Sequence, residues 1–190
     1  FFSLKPILVR IVGGTHRSRQ FSIPEKLGIR PTTDFAKEAL FNILQHRIDI
    51  EGMKVLDLFG GSGSISYEFA SREASEITTI EKNPSCVSFI KKNALLFKMD
   101  NIKVTCMDVF KYINLCSDTF DLIFADPPFK MENIERIPTL IFEKKLLREN
   151  GVLIVEHPSS VNFAKIMQLH ETREYGTVNF SIFGNNRFYR

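Results

Sequence analysis

The chain contains no tryptophan, only three cysteines and no long apolar stretch. The cysteines, Cys86, Cys106 and Cys116, form no C-x-x-C pair, and no histidine stands at zinc-ligand spacing, so the sequence predicts no metal site. An odd, sparse set of cysteines is typical of free thiols in a reducing compartment, which predicts a cytoplasmic protein. Because no apolar run approaches the roughly 20 residues that cross a bilayer, we also expect no contact with a membrane.

Positive charge is concentrated at the amino terminus. Residues 1–33 hold six basic side chains and one acidic one, a net charge of +5, whereas the 19 basic and 21 acidic residues that follow give −2. Such a segment is typical of phosphate binding, and a solvated tail is the alternative. Residues 1–9 are interrupted by Lys5 and Pro6 and precede no cleavage site, which predicts an unstructured or artificially added leader.

From residue 54 onward, short apolar runs alternate with stretches of helical periodicity. Apolar strands without polar alternation are typical of a parallel sheet that is covered on both faces. The predicted strands span 54–59, 76–81, 102–106, 120–125 and 151–156, and the predicted helices span 64–71, 84–98, 109–115 and 133–147. A short helix at 162–167 and strands at 169–174 and 177–183 follow, and the two residues between these strands predict an antiparallel hairpin.

The predicted fold is therefore α/β, a Rossmann-like, seven-stranded, mostly parallel sheet with a C-terminal antiparallel hairpin, preceded by a short basic arm. The sequence of the arm predicts short extended segments at 10–12 and 20–23, with a turn at Gly13-Gly14 between them. A helix capped by Thr33 or Asp34 follows, and its predicted apolar face consists of Phe35, Ala39, Leu40, Ile43 and Leu44. We divide the chain into a leader 1–9, an arm and helix 10–50, a Rossmann-like domain 51–184 and a tail 185–190.

A glycine-rich loop, 57–63, lies where the first strand of the sheet turns into a helix. Ligands of open α/β sheets bind at the carboxyl ends of strands, glycine allows a close approach to the backbone, and the helix offers free N–H groups. Glu81 ends the next strand 20 residues after Gly61, where a carboxylate can hold a ribose, and Asp108 is placed to hold an adenine amine. Ser66 replaces the third glycine of the dinucleotide fingerprint, which disfavours a dehydrogenase. The loop predicts a nucleoside site, and helix capping is the alternative role of both carboxylates.

The segment Asp126-Pro127-Pro128-Phe129 follows the buried strand 120–125. Two prolines remove two N–H donors and stiffen the backbone, so carbonyl oxygens and the Asp126 carboxylate form a rigid set of acceptors. An exocyclic NH2 group is a double donor that fits this set, and Phe129 offers a face on which a base can stack. The sequence predicts catalysis at a base amine by positioning and electrostatic stabilisation, whereas a plain surface turn is the alternative.

Four segments, in this order, closely resemble the RsmD-type family of bacterial 16S ribosomal RNA guanine-N2 methyltransferases. They are Arg10-Ile-Val-Gly-Gly-Thr, Arg30-Pro-Thr-Thr-Asp with Glu38-Ala-Leu-Phe-Asn-Ile-Leu, Leu56-Asp-Leu-Phe-Gly-Gly-Ser-Gly, and Asp126-Pro-Pro-Phe. The resemblance covers about residues 10–183. The sequence departs from the family pattern at Ser18, where glycine is frequent, and at Gly60, where alanine is frequent.

The resemblance implies a class I methyltransferase that transfers a methyl group from S-adenosyl-L-methionine to N2 of guanine 966. The implied partner is 16S rRNA in the 30S subunit or its assembly intermediate, and we expect a monomer. The implied catalytic segment is Asp126 to Phe129, and the implied RNA-binding residues are Arg10, Arg17 and Arg19. The implied cofactor-binding residues are Arg30, Thr32, Thr33, Asp57, Phe59, Gly61, Ser62, Gly63, Glu81, Lys82, Asp108 and Val109.

Two alternative functions stay open at this point. An adenine-N6 methyltransferase that acts on RNA or DNA also uses the Asp-Pro-Pro-Phe segment, although the DNA enzymes usually carry a separate recognition domain for which 190 residues leave no room. A non-catalytic Rossmann-like module that binds nucleotide or RNA has no need of the amine acceptor at Asp126. Glu156 and His157 follow the fifth strand and are further candidates for the rim of the pocket.

Overall fold

The structure, a computed structural model, describes residues 7–29 and 32–185. Predictions that concern 1–6, Arg30 and 186–190 therefore lie outside the described residues. The strands are β1 (Ile7–Arg10), β2 (Gln20–Ile23), β3 (Lys54–Leu58), β4 (Glu76–Glu81), β5 (Ile102–Cys106), β6 (Phe120–Ala125), β7 (Leu147–His157), β8 (Leu169–Tyr175) and β9 (Val178–Phe183). The helices are α1 (Asp34–Gln45), α2 (Ser64–Ser71), α3 (Pro84–Phe97), α4 (Val109–Leu115) and α5 (Arg136–Glu143), and a 3-10 turn spans Glu25–Leu27.

Seven strands form one sheet in the order β5-β4-β3-β6-β7-β9-β8. Pairing is parallel from β5 to β7, and β9 joins β7 and β8 in antiparallel register. The predicted seven-stranded Rossmann-like sheet with its hairpin is confirmed. Because the chain leaves β3 toward β4 and returns to β6 on the other side, the topological switch point lies between the carboxyl ends of β3 and β6.

Each face of the sheet carries its own apolar core because successive strand residues point to opposite faces. Helices α1, α2 and α3 and the arm cover one face, where Val55 and Phe124 are buried. Helices α4 and α5 cover the other face, where Leu56 and Ile123 are buried. Because of this alternation, successive side chains at a strand end face different layers of helices.

Beyond shifts of one residue at several element ends, β1 spans Ile7–Arg10 rather than the predicted 10–12, and three further elements differ from the sequence prediction. Helix α5 is shorter than the predicted 133–147, because Asn133 and Lys145 adopt left-handed conformations with φ of 63° and 55°. Strand β7 begins at Leu147 rather than at 151. The predicted helix at 162–167 is absent, and turns take its place. No helix among the described residues is both long and apolar enough to span a membrane.

The amino-terminal arm is docked on the domain from residue 7 onward. Strand β1 starts at Ile7, pairs with β2 and buries Val9, so the predicted leader 1–9 is wrong for its last three residues. Beyond β1, the Thr15 N–H donates to the Ser71 carbonyl at 2.7 Å, which holds the glycine turn against the end of α2. Gly14 has a φ of 74°, and a Cβ there would lie 1.9 Å from the Ser71 oxygen, so this contact requires glycine.

A buried ionic cluster joins the arm, α1 and α2. The Lys37 and Glu68 side chains are both fully buried, with 3.5 Å between Nζ and Oε1. The Glu68 carboxylate also accepts the Val12 N–H at 2.7 Å and the Arg72 guanidinium at 2.5 Å. Lys37 donates to the Arg10 carbonyl and pairs with Asp34 at 3.1 Å. This network fixes where the arm leaves the domain and approaches the switch point.

Candidate active site

The glycine-rich loop is a tight turn at the end of β3. The Gly60 N–H donates to the Ile80 carbonyl at 2.8 Å, and the Gly63 N–H donates to the Gly60 carbonyl at 2.7 Å. Gly63 precedes the first residue of α2 with a φ of 80°, and a Cβ there would lie 2.7 Å from the Tyr67 ring. The loop backbone is thereby held at the N-terminus of α2, where free N–H groups favour an anion.

Glu81 links this loop to the end of β4. Its Oε2 accepts the Gly61 N–H at 2.8 Å, and its Oε1 accepts the Asn83 N–H at 2.7 Å. A carboxylate offers about four lone-pair sites, so two acceptor positions are left for a ligand. Glu81 therefore holds the loop in place and stays able to bind hydroxyl groups.

Asp57 lies behind the loop on β3 and is 2% exposed. Its Oδ2 accepts the Ser66 hydroxyl, and Ser66 Oγ lies 2.6 Å from Thr79 Oγ1. Burial raises the pKa of Asp57 to about 7, and the nearby charges of Asp126 and Glu81 act in the same direction. Asp57 therefore holds its proton to a higher pH than an exposed aspartate does.

The Asp-Pro-Pro-Phe segment begins directly beside the glycine loop. The Asp126 N–H donates to the Leu58 carbonyl at 3.4 Å, which joins the ends of β6 and β3. Burial raises the pKa of Asp126 to about 7. Phe129 is 45% exposed, so an aromatic face is available three residues after the carboxylate.

Both turns open into one cavity of about 750 Å³. A smaller adjoining pocket shares Phe59, Gly61 and Asp126 with it and reaches Asp57 and Ser62. The predicted site residues that line the large cavity are Thr32, Thr33, Phe59, Gly61, Glu81, Lys82, Asp108, Val109, Asp126, Pro127, Pro128 and Phe129. The structure thus brings together the strand ends that the sequence singled out.

Some predicted residues have local structural partners. Gly63 lines neither pocket and ends the loop at the helix. Asp108 caps α4 by accepting the Lys111 N–H at 3.0 Å, and Thr33 caps α1 by accepting the Ala36 N–H at 3.2 Å. Both capping residues still border the cavity, so the capping role and the binding role that the sequence left open are compatible.

Three basic residues of the arm, Arg10, Arg17 and Arg19, lie apart from the cavity. Arg10 pairs with Asp34 at 2.5 Å and with Glu38 at 3.7 Å, so its charge is compensated locally. Arg17 and Arg19 are exposed in the turn that docks at the C-terminal end of α2, the end opposite the glycine loop. None of the three arginines lines either pocket. Their predicted contact with RNA stays a prediction.

Several cavity residues were missed by the sequence prediction. Phe35 was assigned to the apolar face of α1, but it lies in the first turn, is 64% exposed and borders the cavity. The hairpin residues 175–178 close one side of the cavity, although nothing in their composition indicates a site. A strand pattern alone does not reveal which hairpin reaches over the switch point.

Glu156 and His157 face opposite sides of the sheet. His157 Nε2 lies 2.8 Å from Ser181 Oγ, and its ring packs edge-on against Phe163. Glu156 lines the cavity and is 5% exposed. Burial, and secondarily the charge of Asp126, raise the pKa of Glu156 to about 8. Only the first member of this predicted pair therefore belongs to the cavity.

Stability should depend on pH through the three buried carboxyls Asp57, Asp126 and Glu156. A carboxyl whose pKa is raised by folding stabilises the folded state while protonated and loses that contribution as the pH rises through its folded pKa. We expect the midpoint of thermal unfolding of the ligand-free protein to fall by at least about 3 °C from pH 6.5 to 8.5.

Differential scanning calorimetry at constant ionic strength measures this dependence. Titration of His157 does not contribute between pH 6.5 and 8.5, since burial lowers its pKa below the usual 6.5. Glu156→Gln should flatten the slope. A midpoint that rises over this interval, or an unchanged slope in the variant, would contradict the assignment of these pKa values.

The described residues contain no group of three or more His, Cys, Asp or Glu side chains placed to share a metal ion. The carboxyl groups that line the cavity can accept hydrogen bonds. They face the exposed glycine backbone on one side and the proline-stiffened turn on the other.

Comparison with known proteins places this site in a family. The family described as conserved hypothetical protein 95 matches residues 9–184. The chain is 34% identical over 153 residues, 78% of each chain, to ribosomal RNA small subunit methyltransferase D of Haemophilus influenzae. It is 32% identical to the Escherichia coli protein of that name over 148 residues, 78% of this chain and 74% of the relative. The solved Escherichia coli protein yhhF superposes with a TM-score of 0.81 at 29% identity, covering 93% of this chain and 97% of that one. The chain therefore belongs to the conserved hypothetical protein 95 family, the RsmD-type methyltransferases.

Proposed function

We propose that the protein transfers a methyl group from S-adenosylmethionine to the exocyclic N2 amine of a guanine in 16S rRNA, in the manner of guanine-966 methylation. The observation that carries the proposal is the shared cavity, into which the glycine loop of β3 and the Asp126 turn of β6 both open. The family relatives named ribosomal RNA small subunit methyltransferase D support ribosomal RNA as the substrate class.

The residues of the cavity fit this cofactor. The loop N–H groups at the start of α2 suit a carboxylate, and the free acceptor sites of Glu81 suit ribose hydroxyls. Ile80, Asp108 and Val109 form the part of the cavity that suits an adenine ring. Ser64 Oγ, at the first position of α2, is buried without a hydrogen-bond partner among the described residues and is available to the same ligand.

When bound, the cofactor supplies an electrophilic methyl group on a positively charged sulfur. Asp57, Asp126 and Glu156 provide negative charge around that position once ionised. The Asp126 carboxylate and the Pro127 carbonyl oxygen accept the two hydrogens of the base amine. These hydrogen bonds turn the nitrogen lone pair out of conjugation and stabilise the positive charge that develops on the nitrogen. Phe129, whose ring is exposed, stacks on the base.

Transfer of tritium from labelled cofactor tests the proposal. The acceptors are unmethylated small-subunit particles, naked 16S rRNA and duplex DNA. We expect transfer to the RNA-containing acceptors and none to DNA. Transfer to DNA alone would contradict the substrate class and would favour an adenine-N6 enzyme.

Arg17 and Arg19 are proposed to contact RNA phosphates. Replacing both by alanine should weaken RNA binding and reduce the slope of log K against log salt concentration by about 1.5, since each phosphate contact contributes about 0.7–0.9. Filter binding of an rRNA fragment between 50 and 250 mM salt measures this. The double variant Lys144→Ala/Lys145→Ala removes the same charge from exposed positions beyond α5 and should keep the wild-type slope. If both double variants showed the wild-type slope, the arm would not form part of the RNA interface.

A further inference from the structure

Glu156 stands beside Asp126 at the end of the neighbouring strand. In the parallel pair β6–β7, Ala125 is in register with Val155, so the next residues of both strands are Asp126 and Glu156. Ile154, two residues earlier, is buried on the face covered by α1, α2 and α3, and strand alternation places Glu156 on that same face. Both carboxyl groups line the large cavity.

One oxygen of Glu156 lacks a partner inside the protein. The side chain is 95% buried, at 5% exposure, and its Oε2 has no hydrogen-bond partner among the described residues. By contrast, the carboxylates of Asp57, Glu68 and Glu81 all accept hydrogen bonds from the protein. A buried acceptor left unsatisfied destabilises the fold, and its presence in a cavity indicates that a ligand supplies the missing donor.

The Watson–Crick edge of guanine supplies a donor at this place. Its N1–H lies next to its N2 amine, so guanine presents neighbouring donors, whereas adenine N1 and cytosine N3 are acceptors next to their amines. The amine is flanked by N1–H on one side and by N3, an acceptor, on the other. If Asp126 and the Pro127 carbonyl take the amine, Glu156 at the neighbouring strand end favours the orientation in which N1–H faces it. A carboxylate there attracts an N–H and repels a lone pair.

We propose that Glu156 accepts the N1–H of the target guanine and thereby selects guanine over adenine and cytosine. This assignment rests on the proposed guanine-N2 transfer and adds to it the residue that reads the base. Asp126 then accepts a hydrogen bond from the reacting amine, and Glu156 accepts one from the ring nitrogen beside it.

Base analogues in the RNA test this assignment. The methylated position is first mapped with wild-type protein, and substrates are then ligated with guanine, 2,6-diaminopurine or 2-aminopurine at that position. All three bases carry the 2-amine, but only guanine carries N1–H. At about pH 8.5, above the pKa of about 8 that burial gives Glu156, wild-type protein should prefer guanine by about 10- to 100-fold in kcat/KM, the effect of one hydrogen bond to a charged group.

Glu156→Gln should lose this preference. The amide offers both a donor and an acceptor, so it can pair with the N1–H of guanine or with the N1 acceptor of the analogues. The ratio of kcat/KM for guanine to that for diaminopurine should therefore fall below about 3-fold. Glu174→Gln, an isosteric change at an exposed position of β8, should keep the wild-type ratio. A Glu156→Gln variant that retains the full preference would overturn the proposal.

The wild-type comparison stands even if the variant does not fold. Equal kcat/KM for guanine and both analogues overturns the role of Glu156 and leaves guanine-N2 transfer intact. Absence of transfer to every 2-amine, with transfer to an adenine instead, overturns the proposed function and this inference with it.

Discussion

Replacing Asp126 by alanine is expected to lower kcat by at least about 100-fold, the effect of removing one preorganised group that stabilises transition-state charge. The variant loses the carboxylate at the end of β6 that we propose accepts the amine hydrogens. Cofactor affinity should change by less than about 3-fold, because the Glu81-anchored loop remains. Single-turnover methyl transfer and isothermal titration calorimetry with the cofactor measure the two quantities separately.

Loss of folding does not explain such a result. Asp126 is a partly buried residue whose pKa is raised by desolvation of its carboxyl group, so its removal relieves the cost of desolvating a charge. Asp126→Asn keeps one acceptor oxygen and should lose less activity than the alanine variant. Asp100→Ala, at an exposed position after α3, is the matched control and should keep full turnover. An Asp126→Ala enzyme with wild-type kcat would remove Asp126 from the chemistry.

The second large effect concerns the ionic cluster of Glu68. Glu68→Ala leaves the buried Lys37 ammonium without its partner on α2 and removes the acceptor of the Val12 N–H. Breaking a buried ion pair on one side typically destabilises a protein by about 3–5 kcal/mol. We expect a loss of this size in the free energy of unfolding, and a fall of roughly 6–20 °C in the unfolding midpoint.

Urea denaturation of both proteins measures the change. Glu38→Ala is the matched control, since its 54%-exposed side chain makes one ion pair, at 3.7 Å to Arg10, and such surface pairs contribute little. A loss below about 1 kcal/mol for Glu68→Ala would show that the cluster does not hold the arm against the domain.

Much of the central sheet was predictable from the sequence. The strands β3 and β6 consist mostly of buried apolar residues, as in 120–125, and so suggest no solvent-exposed face, whereas β4 and β5 contain several polar residues. The glycine loop and the Asp126 turn were predictable because each follows such a run directly. A parallel sheet then brings their carboxyl ends to one edge.

Other features depend on contacts that no local pattern contains. Lys37 and Glu68 are 31 positions apart, and each one alone is typical of an exposed helix residue. Phe35 follows helical spacing, yet it lies at the open end of α1 and meets the cavity rather than the core. From the sequence, Glu156 and His157 were equally good candidates for the rim of the pocket. The register of β7 against β6 shows that Glu156 is the one beside Asp126.

Mass spectrometry of nucleosides from RNA methylated with isotopically labelled cofactor tests most directly whether the cavity between β3 and β6 joins a methyl donor to a guanine amine. We expect a single new product, N2-methylguanosine, that carries the labelled methyl group. Label in N6-methyladenosine, or RNA nucleosides without label, would contradict that assignment.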